Sequence, residues 1–134
     1  MKVERWLHVY DGITGVARFA FSVTNGTCTE SPVVADVDAD GHAEIVVPSY
    51  PAGGSTGYIC TDDPDLGLPH LGQNQGVYVF EDPEDRWMPS RSIWNEHTYH
   101  ITNVNDDGTV PLLEEANWET WNNYRQNVKG EITI

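Results

Sequence analysis

Nine consecutive residues carry four carboxylates at regular spacing, and this run constrains the fold more than any other part of the chain. The run is Asp36-Val37-Asp38-Ala39-Asp40-Gly41-His42-Ala43-Glu44, with acids at positions 1, 3, 5 and 9 and glycine at position 6. In a tightening loop, alternate side chains point their oxygens at one centre, and glycine supplies the positive φ that brings in the carbonyl of position 7. Carboxylates that converge in this way repel one another unless a cation lies among them.

Calcium is the cation that this set of donors suits best. It takes about six to eight oxygen ligands in flexible geometry, whereas magnesium demands a tighter octahedron and softer metals prefer nitrogen or sulfur. We therefore predict a Ca²⁺ site whose ligands are the side chains of Asp36, Asp38, Asp40 and Glu44 and the backbone carbonyl of His42. A solvated acidic turn without a metal is the alternative.

A second loop repeats the spacing with amides in place of two acids. Its predicted ligands are Asn103, Asn105, Asp107, the carbonyl of Thr109 and, at position 12, Glu114, with Gly108 at position 6. Position 12 is where helix-loop-helix calcium loops place a bidentate glutamate. Because only two of these ligands are charged, we expect weaker binding than at the first loop. An Asn-rich turn without metal is the alternative.

Apolar and polar residues alternate with period two in several segments outside these two loops, which predicts an all-β fold. We expect one hairpin from residues 6–10 and 16–21, a strand pair from 33–35 and 43–48 around the acidic loop, and a second hairpin from 76–80 and 86–94. The segments 7–12 and 77–82 resemble each other. This repetition suggests propeller-type, four-stranded antiparallel blades, present about one and a half times, too few to close a propeller.

The last forty residues differ in pattern from the rest. Pro111 and the spacing of Trp118, Trp121, Tyr124 and Val128 favour a short helix between residues 114 and 128. We therefore divide the chain into a β-module, residues 1–94, and a C-terminal tail, residues 95–134, in which the second calcium-type loop and the short helix pack on the module.

Two cysteines, Cys28 and Cys60, lie in loops rich in Thr and Gly. Neither belongs to a CxxC motif, so a zinc or redox motif has little support. We predict that they form a disulfide, which would stabilise the fold by about 3–4 kcal/mol in the chain-entropy model. Two unpaired thiols are the alternative.

The charge balance excludes several classes of function. Seven Lys and Arg against 21 Asp and Glu give a net charge of -14, which would repel a nucleic acid. No apolar run is long enough to span a bilayer. The chain also has no nucleophile elbow, no Gly-rich phosphate loop and no Cys near a paired His, so we expect no catalytic residues and no enzyme activity.

The segment from Ser31 to Val47 resembles the FG-GAP or VCBS-type repeat of integrin-alpha-like β-propellers of the secreted bacterial type. The Val-Tyr-Asp-Gly-x-Thr-Gly element from Val9 to Gly15 is similar to the hairpin that follows the calcium loop in those repeats. The resemblance implies an exported module in which calcium braces a blade and takes no part in catalysis. One loop of this type is present, where the family usually has several in tandem.

These patterns lead to one expected function. We expect a calcium-binding structural module, extracellular or at the cell surface, that serves adhesion or self-assembly through exposed β edges. Its partners would be further copies of the chain, as a homo-oligomer or filament, or a glycan or surface protein. The alternative is a calcium-dependent, lectin-like carbohydrate-binding domain, in which some of the five tryptophans stack on sugars and do not fill a β core.

Overall fold

The computed structural model describes residues 6–25, 31–51 and 62–128. In these residues the protein is all-β, as predicted, and its single α-helix has four residues. The elements are β1 (Trp6–Tyr10), β2 (Ala17–Ser22), β3 (Val33–Ala35), β4 (Glu44–Ser49), β5 (Gly76–Phe80) and α1 (Asn117–Thr120). They form a two-stranded sheet, β1-β2, and a three-stranded sheet ordered β3-β4-β5, and neither sheet closes into a barrel.

Strands β1 and β2 form the first predicted hairpin. They pair antiparallel, with Trp6 opposite Ser22, and the register shifts between Val9 and Tyr10. The Asp11 carboxylate holds the turn, because its Oδ1 accepts hydrogen bonds from the Thr14 amide at 2.8 Å and the Thr14 hydroxyl at 2.8 Å. These bonds hold the pKa of Asp11 far below its ordinary value, with a smaller contribution from Arg18.

Strands β3 and β4 form the predicted pair on either side of the acidic loop. They run antiparallel, with Val33 opposite Val46 and Ala35 opposite Glu44. Since Ala35 and Glu44 are the last and first residues of their strands, the eight intervening residues, 36–43, connect two strand ends that the sheet fixes in space. The sheet therefore positions the acidic loop.

The chain divides into two compact units. The first comprises Met1–Ser31 and Val47–Tyr78. Its buried side chains include Leu7, Ala20, Val23 and Val47. Next to them lies a polar cluster, in which Asn74 Nδ2 donates to the Ser22 carbonyl and the Thr24 amide donates to Asn74 Oδ1.

The second unit comprises Pro32–Val46 and Val79–Ile134, and its core is built around Tyr99. Tyr99 is fully buried and stacks on Trp94, with 4.9 Å between ring centroids. Its hydroxyl donates to Asn127 Oδ1 at 2.9 Å, while Asn127 Nδ2 donates to the carbonyls of Arg91 and Val34. Asn127 thus ties the end of the described chain to both the Tyr99 core and β3.

The short helix predicted between residues 114 and 128 is present as α1, which has four residues. The prediction of a strand at residues 86–94 was wrong, so the second hairpin is absent. Pro89 has no amide to donate to a ladder, and the Arg91 amide donates to the Val128 carbonyl instead of to a strand. After α1, Asn122 and Arg125 adopt positive φ of 47° and 54°, which stops the helix.

The described residues do not test the predicted disulfide, the number of blades or the division after residue 94. Cys28 and Cys60 lie outside the described residues, so the disulfide stays a prediction, as do the other two. In the described part of the chain, no helix has the length and apolar character that a bilayer crossing needs.

Candidate cation site in the loop between β3 and β4

Three of the predicted ligands come together in the acidic loop. One carboxylate oxygen from each of Asp36, Asp38 and Asp40 lies within 4.8 Å of the others. Two oxygens bound to one Ca²⁺ at 2.3–2.6 Å can be at most about 5 Å apart, so this spacing fits a shared calcium ion. Asp36 is buried at the base of the loop, and Asp38 and Asp40 are exposed.

The backbone of the loop holds these carboxylates in place. Asp36 Oδ1 accepts from the Ala39 amide at 2.7 Å, and Asp36 Oδ2 accepts from the Gly41 amide at 3.2 Å. The chain can turn this tightly because Ala39 and Gly41 adopt φ of 66° and 96°. Asp40 Oδ1 accepts from the His42 amide at 2.8 Å. Each of these donors is a neutral amide, so none of them neutralises the carboxylates.

Glu44 takes a different position from the three aspartates. It is 3% exposed, and its Oε2 accepts a hydrogen bond from the Val37 amide at 2.7 Å, which braces the start of the loop against β4. Burial raises the pKa of Glu44, and the negative charges of Asp38, Asp40 and Asp36 raise it further, while the Val37 amide opposes the shift. The converging group comprises the three aspartates, and ligation by Glu44 stays a prediction.

The His42 side chain lies against a carbonyl in its own unit. Its Nδ1 is 3.0 Å from the Trp87 carbonyl oxygen. This hydrogen bond raises the pKa of His42, and the charges of Asp40, Asp85 and Asp36 add to the shift. The predicted ligand is the backbone carbonyl of His42. The contact of the imidazole does not test this prediction.

In the second predicted loop, each candidate side chain has a local partner. Asn103 Oδ1 accepts from the His100 amide, and Asn105 Nδ2 donates to Thr109 Oγ1. Asp107 Oδ1 accepts from both the amide and the hydroxyl of Thr109. Glu114 Oε1 accepts from Thr102 Oγ1 at 3.0 Å and contacts His100 Nε2. These bonds fold the loop on itself, and metal binding there stays a prediction.

The first loop therefore offers a set of hard, anionic oxygen donors. None of the ion pairs among the described residues includes Asp36, Asp38 or Asp40, although other acids in the chain do have cationic partners. Such a site suits Ca²⁺ by the chemistry of its donors, and it contains no nitrogen or sulfur ligand that would favour a softer metal.

Sequence reasoning missed a second group of metal-type donors. His8, Asp63 and Asp65 also bring one donor atom each within 4.8 Å of the others. His8 and Asp63 are 55 positions apart, so no local motif signals the group. The only indication in the sequence is the acidic run Asp62-Asp63-Pro64-Asp65 in a segment without strand periodicity.

Comparison with known proteins shows a structural relationship without a family assignment. No protein-family model matches the chain, and no curated protein matches it. A crystal structure of the V. cholerae biofilm matrix protein Bap1 is similar, with a TM-score of 0.63 and 27% sequence identity over 88% of this chain. The chain spans 17% of the length of that protein. It is thus similar in fold and, distantly, in sequence to one part of a much longer biofilm matrix protein.

Proposed function

We propose that this chain is a calcium-stabilised structural module of an extracellular matrix or cell surface, without enzyme activity. The observation that carries the proposal is the convergence of Asp36, Asp38 and Asp40, which form no ion pair with a cationic side chain in the described part of the chain. Uncompensated repulsion among these carboxylates destabilises the loop, and a bound divalent cation would remove it. Calcium would in this way lock the connection between β3 and β4.

The similarity to Bap1 supports the matrix role. Bap1 is a biofilm matrix protein, and the match extends over 88% of this chain. A net charge of -14 also favours a calcium-rich surrounding, where divalent cations offset the repulsion between acidic molecules. More specifically, we propose that the module is built from FG-GAP or VCBS-type propeller repeats.

The outer face of β5 supports assembly through β-structure. Val77 and Val79 alternate along β5, and their side chains are 68% and 54% exposed. Among the described strands, β5 lies at one end of the order β3-β4-β5 and is therefore an edge strand of that sheet. An exposed edge with apolar side chains favours pairing with a strand of another chain or of a longer polypeptide.

Carbohydrate binding is the second candidate, favoured by three exposed aromatic side chains. Trp118, Trp121 and Tyr124 are 74%, 53% and 60% exposed. Exposed aromatic rings in a short segment can stack on the apolar faces of sugars. Glycan binding that requires calcium and is lost in Trp118→Ala and Trp121→Ala would favour this candidate over a purely structural role.

Thermal unfolding with and without calcium tests the main proposal. Saturating Ca²⁺ at about 100 times its Kd would stabilise the fold by about 2.7 kcal/mol, which corresponds to a rise in Tm on the order of 10 °C. Magnesium at the same concentration should give a smaller rise. Identical melting curves in calcium and in chelator would refute the calcium proposal.

Sedimentation velocity in calcium tests assembly separately. We expect a concentration-dependent species larger than the monomer, which Val77→Lys with Val79→Lys should remove by placing charges on the β5 edge. Lysine at the exposed Val110, outside the strands, is the matched control. A monomer at every concentration would contradict self-assembly and leave the calcium proposal in place.

A further inference from the structure

The cluster of His8, Asp63 and Asp65 has the geometry of a metal site, and it lies in the unit that does not contain the acidic loop. His8 Nε2 is 3.1 Å from Asp63 Oδ1 and 3.8 Å from Asp65 Oδ2. Ligands bound to a first-row divalent metal at about 2.0–2.2 Å are roughly 3.0–3.6 Å apart in octahedral or tetrahedral geometry. The separation of His8 from Asp63 lies within that range and the separation of His8 from Asp65 is slightly larger, so the three donors need little movement to share an ion.

The Asp63 carboxylate supplies a second, independent observation. Its side chain is inaccessible to solvent, and its Oδ1 contacts His8 and the Asp65 amide. Its Oδ2 is buried and has no hydrogen-bond partner among the residues that the structure describes. A buried anionic oxygen without a partner carries a desolvation cost that a hydrogen bond or a cation normally offsets. This carboxylate therefore has capacity for a positively charged ligand.

Neighbouring side chains hold the other two donors in place. Residues 6, 8 and 10 lie on one face of β1 because side chains alternate along a strand. The His8 ring stacks on Tyr10, with 5.4 Å between centroids, and lies 6.4 Å from the Trp6 ring. The Tyr10 hydroxyl donates to Asp65 Oδ2 at 2.6 Å. Such outer contacts orient metal ligands and increase affinity.

We infer that His8, Asp63 and Asp65 form a second metal site, which binds a first-row transition ion such as Zn²⁺. One imidazole nitrogen and two carboxylates suit zinc better than calcium, which prefers oxygen ligands alone. Water would complete the coordination, since three protein ligands leave at least one position open. The site would join β1 to the segment around Asp63, and the two metals would stabilise different parts of the chain.

Zinc titration of the full chain by calorimetry, with the acidic loop saturated by calcium, tests the site. We expect one Zn²⁺ equivalent that binds at least about tenfold more weakly after His8→Asn or Asp65→Asn. Asp65 is partly exposed, so its variant should fold even if the His8 variant does not. His97→Asn and Asp62→Asn, outside the cluster, are the matched controls and should bind as the parent does.

Cobalt absorption reports on metal ligation directly. It would not change if these residues only stabilised the fold. Co²⁺ in the same site should give visible absorption bands that Zn²⁺ displaces, and His8→Asn should shift or remove them. No zinc binding by the parent chain, or equal binding by the parent and both cluster variants, would overturn the inference. Tighter binding of Ca²⁺ than of Zn²⁺ at this cluster would also overturn it.

Zinc binding by the double variant Asp38→Asn with Asp40→Asn shows whether the zinc site is separate from the proposed calcium site. If those variants lose the response to calcium and still bind zinc, the two sites are independent, as we infer. If zinc binding disappears with them, the zinc ion occupies the acidic loop and the His8 cluster is not its site.

Discussion

The two loops with calcium-type spacing share a sequence pattern and differ in how they use their side chains. In the loop between β3 and β4, three carboxylates converge, and the hydrogen-bond donors that they meet among the described residues are backbone amides. In the loop from Asn103 to Thr109, the side chains of Asn105 and Asp107 bond to Thr109, and Asn103 bonds to the backbone just before the loop. Spacing alone thus does not distinguish a loop that gathers charge from a loop that closes on itself.

The difference has a chemical cause. An amide or a hydroxyl can donate and accept, so Asn105 and Thr109 satisfy each other within the second loop. An ionised carboxylate can only accept, and three of them cannot satisfy one another. We therefore expect the identity of the side chain at each position to decide whether the loop needs a cation.

The largest expected effect is on the calcium response of the first loop. Asp38→Asn with Asp40→Asn should abolish most of the rise in Tm on the order of 10 °C expected for calcium, because amides do not provide the charge that binds Ca²⁺ tightly. Both residues are exposed, so the variant should fold. Differential scanning calorimetry in calcium and in chelator measures the effect.

Asp107→Asn is the matched control from the second loop. It replaces one exposed acid of the same spacing, and we expect at least three quarters of the rise in Tm to remain. An equal loss in both variants would mean that the two loops bind calcium alike, which would contradict the difference described above.

The second loop should depend on packing where the first depends on charge. Val104 is 2% exposed, and its carbonyl accepts from Arg91 Nη2 at 2.8 Å. Val104→Ala removes buried methyl groups and should cost about 1–3 kcal/mol of the free energy of unfolding. Urea denaturation should show this loss equally in calcium and in chelator. A loss seen only in chelator would show that calcium also supports this loop.

Asp82 shows how a carboxylate behaves when a side chain supplies the cation. The hydrogen bond from Arg86 lowers the pKa of Asp82 from 3.8 to about 2, although burial opposes the shift. Because the folded pKa is lowered, the stabilisation is present above pH 3.8 and is lost as the pH falls towards 2. Asp82→Asn should therefore lower Tm by a few degrees near neutral pH.

The difference in Tm between the parent and Asp82→Asn should be the same with and without calcium. Melting curves from pH 6 down to pH 2 should show the difference between the parent and Asp82→Asn shrinking towards zero, in chelator as in calcium. A difference that stays constant with pH would mean that the ionisation of Asp82 does not contribute to stability.

Much of the fold follows from local sequence pattern, whereas contacts between distant segments do not. The alternation of apolar and polar residues around the acidic loop predicted β3 and β4. In a half-buried strand, side chains two residues apart lie on the same face, so one face is apolar and the other is polar. The converging aspartates were predictable for the same reason, since they are neighbours in sequence. No periodicity indicates that the Arg91 amide bonds to Val128 and takes residues 86–94 out of a sheet. The His8 cluster was hidden for the same reason, since 55 positions separate His8 from Asp63.

The smallest expected effect comes from the backbone of the first loop. Ala39 has φ of 66°, a left-handed conformation that glycine adopts at less cost. Ala39→Gly should raise the free energy of unfolding by up to about 1 kcal/mol in chelator, because relief of strain outweighs the added freedom of the unfolded chain. Ala43→Gly is the control: Ala43 is buried and has no positive φ, so the change should destabilise. If Ala39→Gly weakens calcium binding and stabilises the calcium-free protein, the strained turn holds the carboxylates ready for the ion. Equal stabilisation in calcium and in chelator would show that the strain only closes the turn.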